Sequence, residues 1–413
     1  MEKYIPRDIT DRIKRMLHYF PSVVLVGARQ VGKSTLLKTL FPNYSYVLFD
    51  PYEDIENARK DPDLFLNNHS TPLILDEVQY APELISSIKQ RIDENRTPGQ
   101  YILTGSQQWG IMKQTAESLT GRTVIIQLES FALNEIAANR TKNAWLNQWL
   151  ESPEDFVKNP IRFLQLPIST YEQLWRGFLP ETQVLPLDLI QAFHATYQKT
   201  YIEKDVRLLA NIPDLHQFTR FVRLAAALTA QEINYQEMGR DLGISNETAR
   251  RWLTLLKEIF EWHEIPAFSM NALKRVSTKP KGYFADTGQV CFSQAISTPN
   301  AIGSHPLWGS LFETAVINEI RKQLLSNGDP SILYHFRTHG GAECDLIIEK
   351  NGVYYPIEIK SKSHPSKSDT SGLSAFRKTY PHLKIEKGLV ICLSKSFYPL
   401  SENDYALPWD ISL

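Results

Sequence analysis

The residues of this 413-residue chain that could do chemistry fall into three groups. The first is Gly27-Ala28-Arg29-Gln30-Val31-Gly32-Lys33-Ser34, which follows an apolar run and precedes the helix-forming TLLKTL. This is GxxxxGK[ST] in the strand–loop–helix setting the pattern requires. Its glycines let the backbone curl so that successive N–H groups face phosphate oxygens, and the helix adds its positive end. The loop Gly27–Thr35 (Gly27, Ala28, Arg29, Gln30, Val31, Gly32, Lys33, Ser34, Thr35) is therefore expected to hold ATP, with Lys33 on the outer phosphates and Ser34 on Mg2+. Asp76 and Glu77 end the apolar run Leu73-Ile74-Leu75. They are expected to hold the Mg2+ shell (Asp76) and to polarise the attacking water (Glu77). Thr104-Gly105-Ser106-Gln107 are small and polar, suited to sensing the γ-phosphate or orienting water.

The second group lies in residues 342–362. Asn351-Gly352 is a strong signal for a two-residue hairpin turn. With those two residues in the turn, Asp345 opposes Glu358 and Glu343 opposes Lys360. Cys344, Leu346, Ile348, Tyr355, Ile357 and Ile359 then form an apolar opposite face. Two carboxylates with Cβ atoms about 5 Å apart repel unless a cation or proton sits between them. A hard divalent cation is one solution, and Lys360 on the same face could stabilise a phosphorane or position water. Glu313 shares the stripe of a predicted helix (305–325) with Val316, Ile317 and Ile320, where a carboxylate is expensive unless partnered or functional. Glu313, Asp345 and Glu358 are thus the expected metal ligands. The alternative is a solvated strand face with a Glu343–Lys360 ion pair.

The third group is basic. Residues 235–259 read as two helices across a tight turn at Gly243, with Ser245 as N-cap of the second. In a DNA-reading role Asn246, Thr248, Arg250 and Arg251 would face the groove. The following stretch, 269–286, reads as a hairpin-like wing whose Lys274, Arg275, Lys279 and Lys281 would bind phosphates. Helix-turn-helix folds also serve as protein–protein modules, and the sequence leaves both readings open.

Five continuously apolar runs, at 23–27, 46–50, 73–77, 101–105 and 124–128, must position the first group. They suit strands buried on both faces of a parallel sheet with helices between, an α/β doubly wound domain. Residues 141–186 read as connecting helices and loops, and 194–210 as helix. With 42% hydrophobic and 22% charged residues, disordered and fibrous classes are excluded. The formal net charge of −1 argues against a globally basic nucleic-acid binder but not against a local basic face. No apolar run reaches the eighteen or so residues of a membrane span. The first residues lack the apolar stretch of a signal peptide, and Cys291, Cys344 and Cys392 lack metal or disulfide spacing. A cytoplasmic protein without a membrane partner is the expectation.

Ser118-Leu119-Thr120-Gly121-Arg122 before the fifth run resembles the AAA-type ATPases. The resemblance implies that Arg122 reaches a neighbouring subunit's nucleotide, and hence a homo-oligomer. The pattern Asp345-(x12)-Glu358-x-Lys360 with a preceding helical glutamate resembles the PD-(D/E)xK nuclease superfamily, although Cys344 stands where that pattern has proline. There the matching acids bind Mg2+ and the lysine assists phosphodiester cleavage. Nearly the whole chain resembles a prokaryotic group of AAA-type ATP-binding proteins with a C-terminal domain of unknown function. The residues that carry this are Arg176-Gly177 with Pro180, Tyr201 to Asp205, Lys281 to Asp286, and Glu313. Phe178 and Lys204 depart from the group's usual glycine and arginine. The resemblance implies a P-loop NTPase (AAA-type) parallel sheet over 1–140, a helical and winged-helix-like region over 141–295, and a restriction-endonuclease-like α/β domain over 296–413. It implies a Mg2+-dependent ATPase with catalytic Lys33, Glu77, Arg122 and, in the C-terminal part, Lys360. DNA is the expected partner, and metal-dependent cleavage is the activity that the nuclease-like pattern implies. The alternative is an ATP-controlled switch or scaffold with an inactive nuclease-like domain.

Overall fold

The computed structural model describes residues 4–49, 55–106, 119–137, 145–159, 161–203, 206, 212, 214–271, 273, 275, 278–338 and 340–412. The five apolar runs become strands β1 (Ser22–Val26), β2 (Ser45–Leu48), β3 (Leu73–Asp76), β4 (Tyr101–Gly105) and β5 (Thr123–Gln127). They form one sheet in the order β2-β3-β4-β1-β5, every pair parallel. Each residue of central β1 is buried, as strands covered on both faces require, whereas edge β2 is partly exposed. Helix α1 (Lys33–Leu40) begins at the end of the glycine loop.

In the middle of the chain, helix α2 (Ile190–Tyr197) precedes α3 (Leu215–Ala227), strand β6 (Gln231–Glu232), α4 (Tyr235–Leu242) and α5 (Asn246–Glu258). Strands β7 (Trp262–Ile265) and β8 (Lys281–Phe284) complete an antiparallel sheet in the order β6-β8-β7. The tight turn is where the composition placed it. Gly243 adopts φ 68°, and Ser245 Oγ accepts from Thr248 N at 3.0 Å to cap α5. The basic stretch differs from expectation. Among the described residues its C-terminal arm, β8, pairs with β6 and, antiparallel, with β7, so its hairpin partner is Trp262–Ile265, which precedes the basic stretch.

The last part begins with the long helix α6 (Trp308–Asn327), buried round most of its circumference from Leu311 to Leu324. A mixed sheet follows: β9 (Ile332–Arg337), β10 (Glu343–Lys350), β11 (Val353–Lys360), helix α7 (Ser371–Thr379), then β12 (Lys384–Ile385), β13 (Gly388–Cys392), β14 (Tyr398–Pro399) and β15 (Asp404–Pro408). The order is β9-β10-β11-β13-β15-β14, with β12 beside β11. The β10–β11 hairpin turns at Asn351-Gly352 and pairs Lys350 with Val353 and Leu346 with Ile357, the expected register.

One detail departs from simple alternation. Tyr334 of β9 faces Ile347 and Phe336 faces Cys344, so His335 opposes both Asp345 and Leu346. This bulge adds one residue and inverts the parity beyond it. Cys344 therefore packs with Ile347, Phe336, Leu373 and Phe376, while Leu346, Ile348, Tyr355, Ile357 and Ile359 join the larger core on the other side. The expected single apolar face holds for five of its six members.

Candidate functional site

The glycine loop is shaped by its backbone. Gly27 has φ +154°, and a Cβ there would lie 2.2 Å from the carbonyl oxygen of Leu128. Gly32, at φ +94°, occupies the left-handed region just before α1. Lys33 is buried, and its ammonium donates to the carbonyls of Gly27 and Ala28, both at 2.9 Å. Asp76 is fully buried at the end of β3 and accepts from the Tyr46 hydroxyl and from Thr104 Oγ1. The same Tyr46 hydroxyl meets Ser34, which brings Ser34 and Asp76 to one point. Burial, then Asp76, pushes the Tyr46 phenol well above its usual range, so it stays a donor. Glu77 follows Asp76 in the left-handed region, at φ 59°. Its N–H donates to Thr104 Oγ1 at 3.0 Å, and its carboxylate accepts from Ser106 Oγ at 3.1 Å and from Gln79. An all-oxygen pair formed by one hydroxyl and one carboxylate suits Mg2+.

Two arginines brace this loop: Arg29, itself a member of the expected phosphate loop, and Arg7, which no sequence pattern singled out. Arg7 is buried and donates to Val31 O at 2.7 Å and Glu129 O at 2.6 Å, with Glu135 as counter-ion at 3.1 Å. Arg29 reaches the Tyr80 hydroxyl at 3.0 Å and lies over the Tyr201 ring. Tyr197, on α2, points its hydroxyl at Arg29 O (3.4 Å) and donates to Glu261 Oε1 at 2.7 Å. The middle region thus touches the glycine loop directly. Arg122 stands elsewhere. Ser22 pairs with Thr123, so Arg122 sits at the sheet edge where β1 starts, whereas the loop follows the end of β1. A five-residue strand separates the two edges by about 16 Å. Its guanidinium forms a fork with Asp93, Nη2 to Oδ2 at 3.0 Å, and cannot serve the nucleotide of its own chain.

In the C-terminal sheet the structure brings Glu313, Glu343, Asp345, Glu358 and Lys360 together, and adds Lys281 from β8. The Lys281 ammonium lies 2.7 Å from Glu313 Oε1, 2.9 Å from Glu343 Oε1 and 3.4 Å from Asp345 Oδ1. Lys360 lies 2.9 Å from Glu358 Oε2 and 3.5 Å from Asp345 Oδ2, which also accepts from Ile359 N at 2.9 Å. Tyr283, beside Lys281 on the same strand, donates to Glu313 Oε1 at 2.8 Å. Burial pushes the Glu313 carboxyl up to about 7, with Asp345 adding to it, and burial with the Asp345 charge pushes Glu358 up to about 9. Burial works against ionised Asp345 too, but Lys281 and Lys360 hold it below the usual range. Burial also disfavours a charged Lys281, yet Tyr283, Glu313, Asp345 and Glu343 keep it protonated well above the lysine range. Gly372, near the start of α7, permits the close packing here: a Cβ would fall 1.8 Å from Glu343 O and 1.9 Å from Glu358 Oε1.

This geometry corrects two expectations. Lys281 was expected among phosphate-binding cations, but it is 4% exposed and ion-paired inside the protein. Glu313, Asp345 and Glu358 were expected to ligate a divalent ion. Among the described residues no group of three His, Cys, Asp or Glu side chains is arranged to hold a metal. Two ammonium groups stand between these acids instead, so the residues present do not fit a divalent ion. The alternative Glu343–Lys360 pair is replaced by Glu343–Lys281 and Glu358–Lys360. Of the other basic residues, Arg250 and Arg251 are exposed on α5, Arg250 lying over the Tyr235 ring. Lys279 is exposed. Arg275 is engaged by Phe268 and by Tyr334, whose hydroxyl it reaches at 3.1 Å. Lys274, Gln107, Ser118, Lys204 and Asp205 lie outside the described residues.

The candidate sites are joined by α6. Glu313 on its N-terminal half belongs to the carboxylate cluster. Further along, Glu319 accepts from Leu133 N at 3.0 Å, Arg321 meets Glu129 at 3.2 Å and Lys322 donates to Phe131 O at 2.8 Å. Those partners follow β5, in the segment that Arg7 ties to the glycine loop.

Residues 19–137 match a family described as AAA domain. Residues 169–300 and 308–411 match two families described as domains of unknown function, DUF8612 and DUF4143. An uncharacterized protein of Mycobacterium tuberculosis is 26% identical over 405 residues, 98% of this chain and 83% of the relative, and one of Mycobacterium bovis matches equally. Among solved structures, the Walker-type ATPase of Pyrococcus abyssi aligns over 71% of this chain and 97% of its own, at 15% identity and a TM-score of 0.41. The RuvB Holliday junction branch migration motor of Thermotoga maritima aligns over 66% and 94%, at 14% identity and a TM-score of 0.30. Among the described residues no helix is long and apolar enough to cross a membrane. With its five parallel strands and its glycine loop before α1, the N-terminal part of the chain is an AAA-type P-loop domain.

Proposed function

We propose that this protein binds and hydrolyses ATP, and that the nucleotide cycle changes how its middle and C-terminal parts engage DNA. The observation that carries the first half is the meeting of Ser34, Asp76 and Tyr46 beside the Lys33 loop. The phosphates lie along the N–H groups of Gly27–Thr35, and Lys33 exchanges its two loop carbonyls for phosphate oxygens. Mg2+ accompanying ATP neutralises phosphate charge, and Ser34 and Asp76 are the residues that would hold it. Glu77, oriented by Ser106 and Gln79, polarises the attacking water. Arg122 serves a neighbouring subunit after leaving Asp93, which makes an oligomer the hydrolytic form. Lys33→Ala is expected to abolish ATP hydrolysis while the fold, followed by circular dichroism, is retained. Unchanged turnover would sink this assignment.

The coupling to the rest of the chain rests on Arg29, Tyr197 and Tyr201 on one side of the loop and on α6 on the other. The DNA half of the proposal rests on α5, where a capped helix after a tight turn exposes Arg250 and Arg251. The lysine-filled carboxylate cluster favours a switch that binds without cutting over a nuclease.

A further inference from the structure

The C-terminal carboxylate cluster has the acids of a metal site but already contains a cation. Glu313 comes from α6, Glu343 and Asp345 from the hairpin, and the Lys281 ammonium reaches all three within 2.7–3.4 Å. Lys281 belongs to β8, which is paired on both edges, by β6 and by β7. Its side chain is 5% exposed and cannot swing into solvent without moving that strand. Both oxygens of Asp345 are committed, Oδ1 to Lys281 and Oδ2 to Lys360 and Ile359 N. A divalent ion would need those same oxygens at about 2.0–2.6 Å, and an ammonium cannot share that space.

We infer that Lys281 is a built-in monovalent substitute for a divalent ion, which closes the C-terminal cluster to metal and fastens it to the middle sheet. The wild-type cluster therefore takes no Mn2+ or Mg2+. Removal of the lysine leaves the buried Glu313 and Asp345 and the partly exposed Glu343 with one cation fewer, and these three carboxylates should now gather a divalent ion. The contact spans 64 positions between Lys281 and Asp345, so a single ammonium replaces what would otherwise be an exchangeable cofactor with a covalently attached one.

The test measures Mn2+ binding to the full chain by electron paramagnetic resonance, without nucleotide, in a Lys33→Ala background. The proteins compared are the parent, Lys281→Met, Asp345→Asn, and Lys281→Met with Asp345→Asn. The expected result is no Asp345-dependent Mn2+ in the parent and one bound Mn2+ in Lys281→Met that disappears in the double variant. The apparent affinity should rise about tenfold or more over the parent, with a Mn2+-dependent gain in melting temperature in Lys281→Met alone. Parent protein that binds Mn2+ and loses it in Asp345→Asn would overturn the inference. So would a folded Lys281→Met protein that binds none. Should Lys281→Met fail to fold without metal, rescue of its folding by Mn2+ supports the inference and failure of that rescue counts against it. The parent and Asp345→Asn arm decides the claim of closure on its own.

Discussion

Tyr197→Phe removes one hydroxyl from the contact between the glycine loop and the middle region, and its effect should depend on pH. That hydroxyl donates to Glu261 Oε1 at 2.7 Å, and Glu261 is 2% exposed. Burial pushes the Glu261 carboxyl up to about 8, while the Tyr197 hydrogen bond pulls the other way. The Tyr197 phenol itself is held well above its usual range by burial and stays neutral throughout. A free glutamate ionises near 4.5, so the folded chain keeps a proton that the unfolded chain has released. Stability from this group is present at acid pH and falls as pH rises from about 4.5 to about 8. The full interval corresponds to at most about 5 kcal/mol. At pH 6 the folded carboxyl is neutral, and loss of its partner costs about 1 kcal/mol. At pH 9 it is charged, and the lost donor costs about 3 kcal/mol. The difference between wild type and Tyr197→Phe should therefore grow by about 2 kcal/mol across that range, read from urea unfolding followed by tryptophan fluorescence. Other titrating groups cancel in this double difference. A gap that stays the same at pH 6 and pH 9 would refute the reasoning, because it would mean that Glu261 does not change charge inside the fold.

The remaining predictions concern the distal parts. Arg250→Ala with Arg251→Ala should weaken DNA binding and flatten its dependence on salt by up to about two counterions, measured by anisotropy titrations at several salt concentrations. Wild-type binding that is insensitive to salt would leave protein, not DNA, as the partner of α5. Gly372→Ala should destabilise the C-terminal sheet by about 1–3 kcal/mol, because its methyl meets the Glu343 carbonyl and the Glu358 carboxylate at under 2 Å. A thermal scan checks this, and an unchanged melting temperature would place α7 differently.

Local patterns made much of the architecture legible. A parallel strand buried on both faces must be apolar throughout, and four of the five predicted runs both begin and end within a residue of the observed strand. Asn351-Gly352 selects its own turn, so the hairpin register could be read without knowing what packs on it. Gly243 and Ser245 act through backbone conformation and one short hydrogen bond, both local. Position-by-position alternation failed at Cys344 because the bulge opposite His335 is a property of the β9–β10 pair, not of β10 alone.

By itself the sequence determined the glycine loop, the acids that end β3, the parallel sheet around them and the set of carboxylates on the C-terminal hairpin. Each depends on neighbours in the chain or on a fixed repeat. Only the tertiary structure decided what fills that carboxylate set, because Lys281 arrives from another sheet and its charge looks like any surface lysine until burial is known. The same holds for Arg7, whose carbonyl partners come from the loops after β1 and β5. Parallel pairing likewise put Arg122 at the far edge of the sheet from its own loop. An ion pair needs only a few ångströms between its members and places no limit on their separation in sequence, so no local pattern can announce it.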